Sequence, residues 1–275
     1  MKCAWNAFLA IVPLRLRNEV DRLGKKELEE LRLRVGQPIE LVIGGKSNFL
    51  QTHATGEDIQ FAVNTASRYS PWTAATAADG YITAPGGHRI GLCGDCVIQN
   101  GNVKGIRTAS SLCMRVARDF PGIGQDAPLD GSLLIIGPPG VGKTTLLRDL
   151  IRTRSKQGTG VTVVDERKEI FPDVQIFESG IRTDVLTGCS KAQGVLMALK
   201  TTNPKCIAVD EITAQEDTQA LLNASWCGVD LLATAHATNV QSLKARTIYQ
   251  PLVESGLFQN VIVLNRDKSW RLERM

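Results

Sequence analysis

Leu133-Leu134-Ile135-Ile136-Gly137-Pro138-Pro139-Gly140-Val141-Gly142-Lys143-Thr144-Thr145 is the stretch on which the reading of the whole chain turns. Four consecutive aliphatic residues read as a fully buried strand, and Leu146, Leu147, Arg148 and Leu150 as the start of a helix. Between them, Gly137-x4-Gly142-Lys143-Thr144 has the spacing of a phosphate-binding loop. The glycines let successive backbone N–H groups converge on phosphate oxygens, and the helix that starts near Gly142 adds its positive dipole end. The expected nucleotide-binding residues are Gly137, Pro138, Pro139, Gly140, Val141, Gly142, Lys143, Thr144 and Thr145. Lys143 is expected to reach the β- and γ-phosphates of a nucleoside triphosphate, and the Thr144 hydroxyl to ligate Mg²⁺. An apolar strand before the loop and a helix after it are the context that the motif requires.

Outward from this loop, other strands end in chemistry. Ile207-Ala208-Val209-Asp210-Glu211 is an apolar run closed by two carboxylates, 67 residues after Lys143, in the Walker B form. Asp210 is expected to hold Mg²⁺ partly through water, and Glu211 to orient the attacking water as general base. Val163-Val164-Asp165-Glu166-Arg167-Lys168-Glu169 ends the preceding strand in a second acidic pair. Strand C-termini line the crevice of a parallel sheet, so Asp165 and Glu166 are expected beside the phosphates, and Glu166 is a second candidate base. A solvated charged turn is the plain alternative for that segment. Leu231-Leu232-Ala233-Thr234-Ala235-His236-Ala237-Thr238-Asn239 ends a further strand in a polar cluster, with His236 where a γ-phosphate sensor would sit.

The elements between these motifs alternate. Strands are expected over 161–164, 205–209, 229–233 and 261–264, and helices over 192–201, 215–226 and 240–249, with an edge strand over 268–274. Short apolar strands alternating with helices argue an α/β fold with a parallel sheet covered on both faces. Residues 1–120 read differently, as a smaller α+β domain: a short helix over 27–31, strands over 31–35 and 39–43, and a helix over 57–69. A hairpin over 81–92 and a last strand over 111–117 complete it. The glycine- and proline-bearing segment 120–128 is the linker, dividing the chain into domains 1–120 and 121–275.

Composition narrows the partners. With 43% hydrophobic and 22% charged residues the chain reads as a globular protein. Residues 1–120 hold 15 basic against 11 acidic residues and 121–275 hold 17 of each, so the net +4 is confined to the first domain. That is modest for a nucleic-acid binder, and no nucleic-acid partner is expected. Seven cysteines in no framework spacing suit a reducing cytoplasm. Only Cys93-Gly94-Asp95-Cys96 has metal-ligand spacing, without a second pair at zinc-site distance, and ordinary packing outweighs a zinc site there. The apolar run from Cys3 to Leu14 is too short to span a bilayer, so a buried or interfacial segment is expected and any membrane role is peripheral.

Two P-loop families place a histidine after such a Walker B strand. Leu186-Thr187-Gly188-Cys189-Ser190 resembles the ABC transporter signature, but Cys189 stands where its second glycine belongs and no room is left for the helical subdomain. The secretion ATPase superfamily of type II and type IV secretion and pilus motors is resembled more densely. Asn203-Pro204, Glu211-Ile212, Asp217-Thr218-Gln219-Ala220 and Thr234-Ala235-His236-Ala237-Thr238-Asn239 look like successive motifs of that superfamily, and Asp165-Glu166 falls where its Asp box lies. Arg32-Leu33-Arg34-Val35-Gly36-Gln37-Pro38 and Pro85-Gly86-Gly87-His88-Arg89-Ile90-Gly91 extend the resemblance to its sporulation stage III AA branch, nearly end to end. The resemblance implies a RecA-like ATPase core and a cytoplasmic, mother-cell-side protein peripheral to the membrane. It also implies a homo-oligomer, a hexameric ring, docked on membrane proteins of a sporulation channel complex.

A final implication concerns the first domain. Arg89, Arg107, Arg115 and Arg118, with Lys104, face only Asp95 in the segment 88–118. A solvated strand face is the plain reading. In secretion ATPases the N-terminal domain lends arginines to the nucleotide, and Arg107 and Arg115, flanking the strand that leads into the linker, are the expected contributors. The remaining alternatives are a stand-alone P-loop NTPase or an ABC-like ATPase subunit. The absence of an N/T-K-x-D stretch argues against a guanine-selective protein.

Overall fold

The computed structural model describes residues 1–68, 80–172 and 176–275. The chain forms two compact units, Met1–Asp119 and Phe120–Met275.

The first unit is built on α1 (Trp5–Ile11), α2 (Arg17–Gly24), β1 (Leu28–Arg34), β2 (Pro38–Ile43), β3 (Lys46–His53), α3 (Gly56–Ala66), β4 (Tyr81–Thr83), β5 (Arg89–Gln99) and β6 (Asn102–Arg115). Its six strands form one antiparallel sheet in the order β3-β2-β1-β6-β5-β4. The N-terminal apolar run turns one face inward: Trp5, Phe8 and Ile11 of α1 are buried in one cluster with Leu31, Leu33, Ile90 and Met114 of the sheet, while Leu14 at its end is exposed. His88 ties the start of the chain to the end of β6. Its Nδ1 accepts the Ala117 N–H, so the proton sits on Nε2, which donates to the Ala4 carbonyl at 3.0 Å.

Several expectations are corrected here. The helix expected over 27–31 is the start of strand β1. Its helix-like spacing of Leu28 and Leu31, both buried, arises from an irregularity between Leu28 and Glu30 that interrupts the strand's alternation. Strand β3 was not expected, because its outward-facing polar residues dilute the pattern to a single buried Leu50. The hairpin expected over 81–92 is the β4–β5 pair, and β5 continues to Gln99 and turns into the long β6. The expected end of the 57–69 helix, at Tyr69, lies outside the described residues.

The second unit carries β7 (Leu133–Ile136), α4 (Lys143–Lys156), β8 (Val161–Asp165), β9 (Thr183–Thr187), α5 (Lys191–Thr201), β10 (Cys206–Val209), α6 (Gln215–Trp226), β11 (Asp230–Ala235), α7 (Val240–Lys244), α8 (Gln250–Glu254), β12 (Asn260–Leu264) and β13 (Trp270–Arg274). Its seven strands run β13-β12-β7-β11-β10-β8-β9, all parallel except the edge strand β13. This is the α/β, RecA-like arrangement, in which β11 is inserted between the loop-bearing strand β7 and the carboxylate-bearing strand β10. Every residue of β7 and β10 is buried, as continuous aliphatic runs require in a sheet covered on both faces. Helix α5 lies so close to β8 that a Cβ on Gly194 would stand 2.3 Å from Val164 Cγ1. The helix expected over 240–249 is shorter: α7 stops at Lys244, and Arg246 adopts an extended backbone before one 3₁₀ turn and α8. Strand β9 was not expected, because no residue of it is fully buried and its pattern is mixed. Among the described residues no helix is long and apolar enough to cross a membrane.

Candidate functional site

The C-terminal ends of β7, β8, β10 and β11 lie side by side, and the loops that leave them bring the expected residues together. Gly140 and Gly142 take φ of +75° and +106°, the left-handed region open to glycine, and Gly142 is the N-cap of α4. Lys143, the first residue of α4, is buried and folded back under its own loop. Its ammonium donates to the carbonyls of Gly137 and Pro138 at 3.1 and 3.0 Å and to Nδ1 of His236 at 3.1 Å. Burial lowers its pKa from the ordinary lysine value, against the opposing pull of the Glu211 and Asp210 carboxylates.

An ammonium has only protons to give, so Nδ1 of His236 accepts and the ring proton sits on Nε2. Nε2 donates to Glu211 Oε1 at 2.8 Å. Lys143 at the start of α4, His236 after β11 and Glu211 after β10 are thereby joined in one directed hydrogen-bond chain. Beside it, the Thr144 hydroxyl donates to Asp210 Oδ2 at 2.7 Å. A hydroxyl and a carboxylate oxygen at that separation form an oxygen donor set suited to a small hard cation. The Arg246 guanidinium braces the site from outside by donating to the His236 carbonyl at 2.7 Å.

The second acidic pair divides its work. Asp165 is buried and accepts three backbone N–H groups, from Glu169, Ile170 and Phe171, at 2.8, 3.0 and 2.8 Å. Its carboxylate organises its own turn. Burial raises its pKa above the ordinary aspartate value, although the N–H groups of Phe171 and Ile170 pull the other way. Glu166 lines the cleft together with Asp210 and Glu211, but it is engaged by Lys191, whose ammonium lies 2.7 Å from its Oε2 and 3.8 Å from Asp217 Oδ2. Lys191 had no signal in the sequence: a lysine at the start of an ordinary helix acquires a role only because its partners, 25 and 26 positions away, fold against it. Thr234 was visible only as part of a polar cluster. Its hydroxyl proves to bridge Asp210 and the Glu211 backbone.

Arg107 and Arg115 belong to the first unit, both on β6 and both exposed. Arg115 Nε lies 3.2 Å from Glu30 Oε1, and among the described residues Arg107 has no ion pair. Cys93 and Cys96 are exposed free thiols on β5.

The fold is similar to that of ATPases of solved structure. The chain superposes on the pilus retraction motor PilT, solved with bound ADP, with a TM-score of 0.65 at 18% identity, over 95% of this chain and 82% of that one. It superposes on the Legionella pneumophila ATPase DotB with a TM-score of 0.55 at 17% identity, over 96% and 80% of the two chains. The chain thus shares its fold with PilT and DotB. In sequence, residues 6–271 match the family described as Sporulation stage III, protein AA. Stage III sporulation protein AA of Bacillus subtilis (strain 168) is 36% identical over 96% of this chain and 92% of its own length. The chain belongs to the sporulation stage III AA family.

Proposed function

We propose that the protein is a Mg²⁺-dependent ATPase that works as a ring, a hexamer, on membrane proteins of a secretion-like channel complex during endospore formation, from the mother-cell cytoplasm. Support for the sporulation setting comes from the family; support for the ring and its membrane partners comes from the resemblance to secretion motors. The observation that carries the chemistry is the chain Lys143–His236–Glu211 beside the pair Thr144–Asp210.

Each of these residues has a task in hydrolysis. Lys143 exchanges the carbonyls of Gly137 and Pro138 for phosphate oxygens and neutralises their charge. His236 fixes one oxygen of Glu211 through Nε2–H, leaving the other to take the proton of the attacking water. Thr144 and Asp210 would hold Mg²⁺, which supplies charge neutralisation at the phosphates when bound. Glu211 is the better base than Glu166, because Lys191 occupies the Glu166 carboxylate. Both Arg107 and Arg115 are candidates to neutralise transition-state charge from the first unit.

The test is Glu211→Gln, which keeps shape and removes the base. It is expected to bind Mg-ATP as wild type does and to lose turnover by about 10²-fold or more. Normal turnover in Glu211→Gln together with loss in Glu166→Gln would move the base to Glu166.

A further inference from the structure

Both carboxylates at the end of β10 are held from behind by one residue of β11. Thr234 is fully buried. Its hydroxyl donates to Asp210 Oδ1 at 2.5 Å and accepts the Glu211 backbone N–H at 2.8 Å. Its carbonyl accepts the Ile212 N–H at 2.9 Å. The directions are settled by chemistry, since an N–H can only donate and an ionised carboxylate can only accept. Glu211 itself has φ of +51°, in the left-handed region that a non-glycine residue keeps only where its surroundings impose it. Those surroundings are Thr234: the two N–H groups on either side of the Glu211 Cα–C unit both end on this one residue.

We propose that Thr234 is a positioning residue for hydrolysis, presenting Asp210 to the metal and holding Glu211 in the backbone conformation that directs its carboxylate to His236. With Oδ1 of Asp210 taken by Thr234, Oδ2 is the oxygen that meets Thr144, so the carboxylate plane is locked with that edge toward the proposed metal site. Without the hydroxyl, the Asp210 carboxylate keeps only its Thr144 contact and is less constrained about its last torsion. The Glu211 N–H loses its acceptor, and the strained backbone can relax away from the His236 contact. None of this touches the contacts of Lys143 with the Gly137 and Pro138 carbonyls. The expected signature is therefore a loss in turnover and in metal response with phosphate binding retained. The inference rests on the ATPase reading above, and the measurements below separate the two.

Thr234→Val removes the hydroxyl and keeps the shape, whereas Thr234→Ser keeps the hydroxyl. For each, the affinity for a fluorescent ATP analogue is measured with and without Mg²⁺, alongside kcat, KM and thermal melting. Thr234→Val is expected to bind the analogue without metal within about twofold of wild type, to lose about tenfold in Mg²⁺ enhancement of binding, and to lose at least about tenfold in kcat at little-changed KM. Thr234→Ser is expected to return kcat and the Mg²⁺ response to within about threefold of wild type. If the valine variant does not fold, Thr234→Ala against Thr234→Ser gives the same comparison, because those two differ by one oxygen. Wild-type kcat and Mg²⁺ response in the hydroxyl-free variant overturn the inference and leave the ATPase reading standing. A folded wild type with neither Mg²⁺-stimulated turnover nor Mg²⁺-dependent binding overturns both.

Discussion

Lys143 shows how a cation can be stored in a site before its anion arrives. Its ammonium is satisfied by two carbonyls of its own loop and by the lone pair of a histidine, partners that share it without neutralising it. Burying an unpaired ammonium is costly, and its lowered pKa records that cost. Triphosphate oxygens would supply the full counter-charge, so Lys143→Ala is expected to weaken ATP binding by about tenfold to a hundredfold, as charged hydrogen bonds of about 1.5–3 kcal/mol imply. Equilibrium binding of a fluorescent nucleotide checks this, and unchanged affinity would remove the loop from the nucleotide site. Because Lys143 also donates to His236, the same variant leaves Nδ1 without its donor, and turnover should fall further than affinity does.

At the scale of the element, α3 illustrates how an ion pair and a cap reinforce each other. Thr55 Oγ1 accepts the Asp58 N–H and Asp58 Oδ2 accepts the Thr55 N–H, which closes a reciprocal box at the N-terminus of the helix. The Arg15 guanidinium, from the turn before α2, clasps the same carboxylate. Burial alone would raise the Asp58 pKa, but the Arg15 hydrogen bonds and the Thr55 N–H and hydroxyl outweigh it and the net shift is downward. A carboxyl depressed in the folded state contributes stability above its unfolded pKa, about 3.9, and loses it as pH falls toward the folded value. Asp58→Asn should therefore cost about 1–2 kcal/mol at pH 7, the usual loss for a cap with a charged partner, and progressively less below pH 4. Urea unfolding of both proteins at pH 7 and pH 3 tests it; a gap that widens in acid would contradict the assignment.

On the scale of the whole molecule, the proposal that the first unit supplies a cation to the transition state rests on Arg107 and Arg115. Arg115 already spends its charge on Glu30, whereas Arg107 has no ion pair among the described residues and is the stronger candidate. If either acts on the nucleotide, its replacement by Ala should leave ATP affinity nearly intact and reduce kcat by more than about tenfold, given that such groups supply about 10³–10⁵ in related phosphoryl transfers. If the arginine comes from a neighbouring subunit, turnover should rise faster than linearly with protein concentration. Native mass spectrometry with and without Mg-ATP would test the proposed ring and count its subunits. Wild-type kinetics in both variants would leave these arginines as solvated surface charge.

Local rules carried the reading furthest where chemistry is contiguous in the chain. The loop from Gly137 to Thr145, the acidic end of the 206–209 strand and the histidine after 230–235 each declare themselves within a dozen residues, because a phosphate cradle or a buried parallel strand dictates composition at fixed spacing. The α/β class followed from the same short-range patterns. Folding decided what distance in the chain conceals. A bulge turned a helix-like Leu28–Leu31 spacing into strand, and strands with one face in solvent, such as 46–53 and 183–187, carried too little apolar pattern to be seen. The partners of the carboxylates were decided by contact as well: Asp165 went to its own turn, Glu166 to Lys191, Asp210 to Thr144 and Thr234, and Glu211 to His236. Four carboxylates at strand ends are alike as sequence; they become different only when residues up to 66 positions away supply the donors that bind each one.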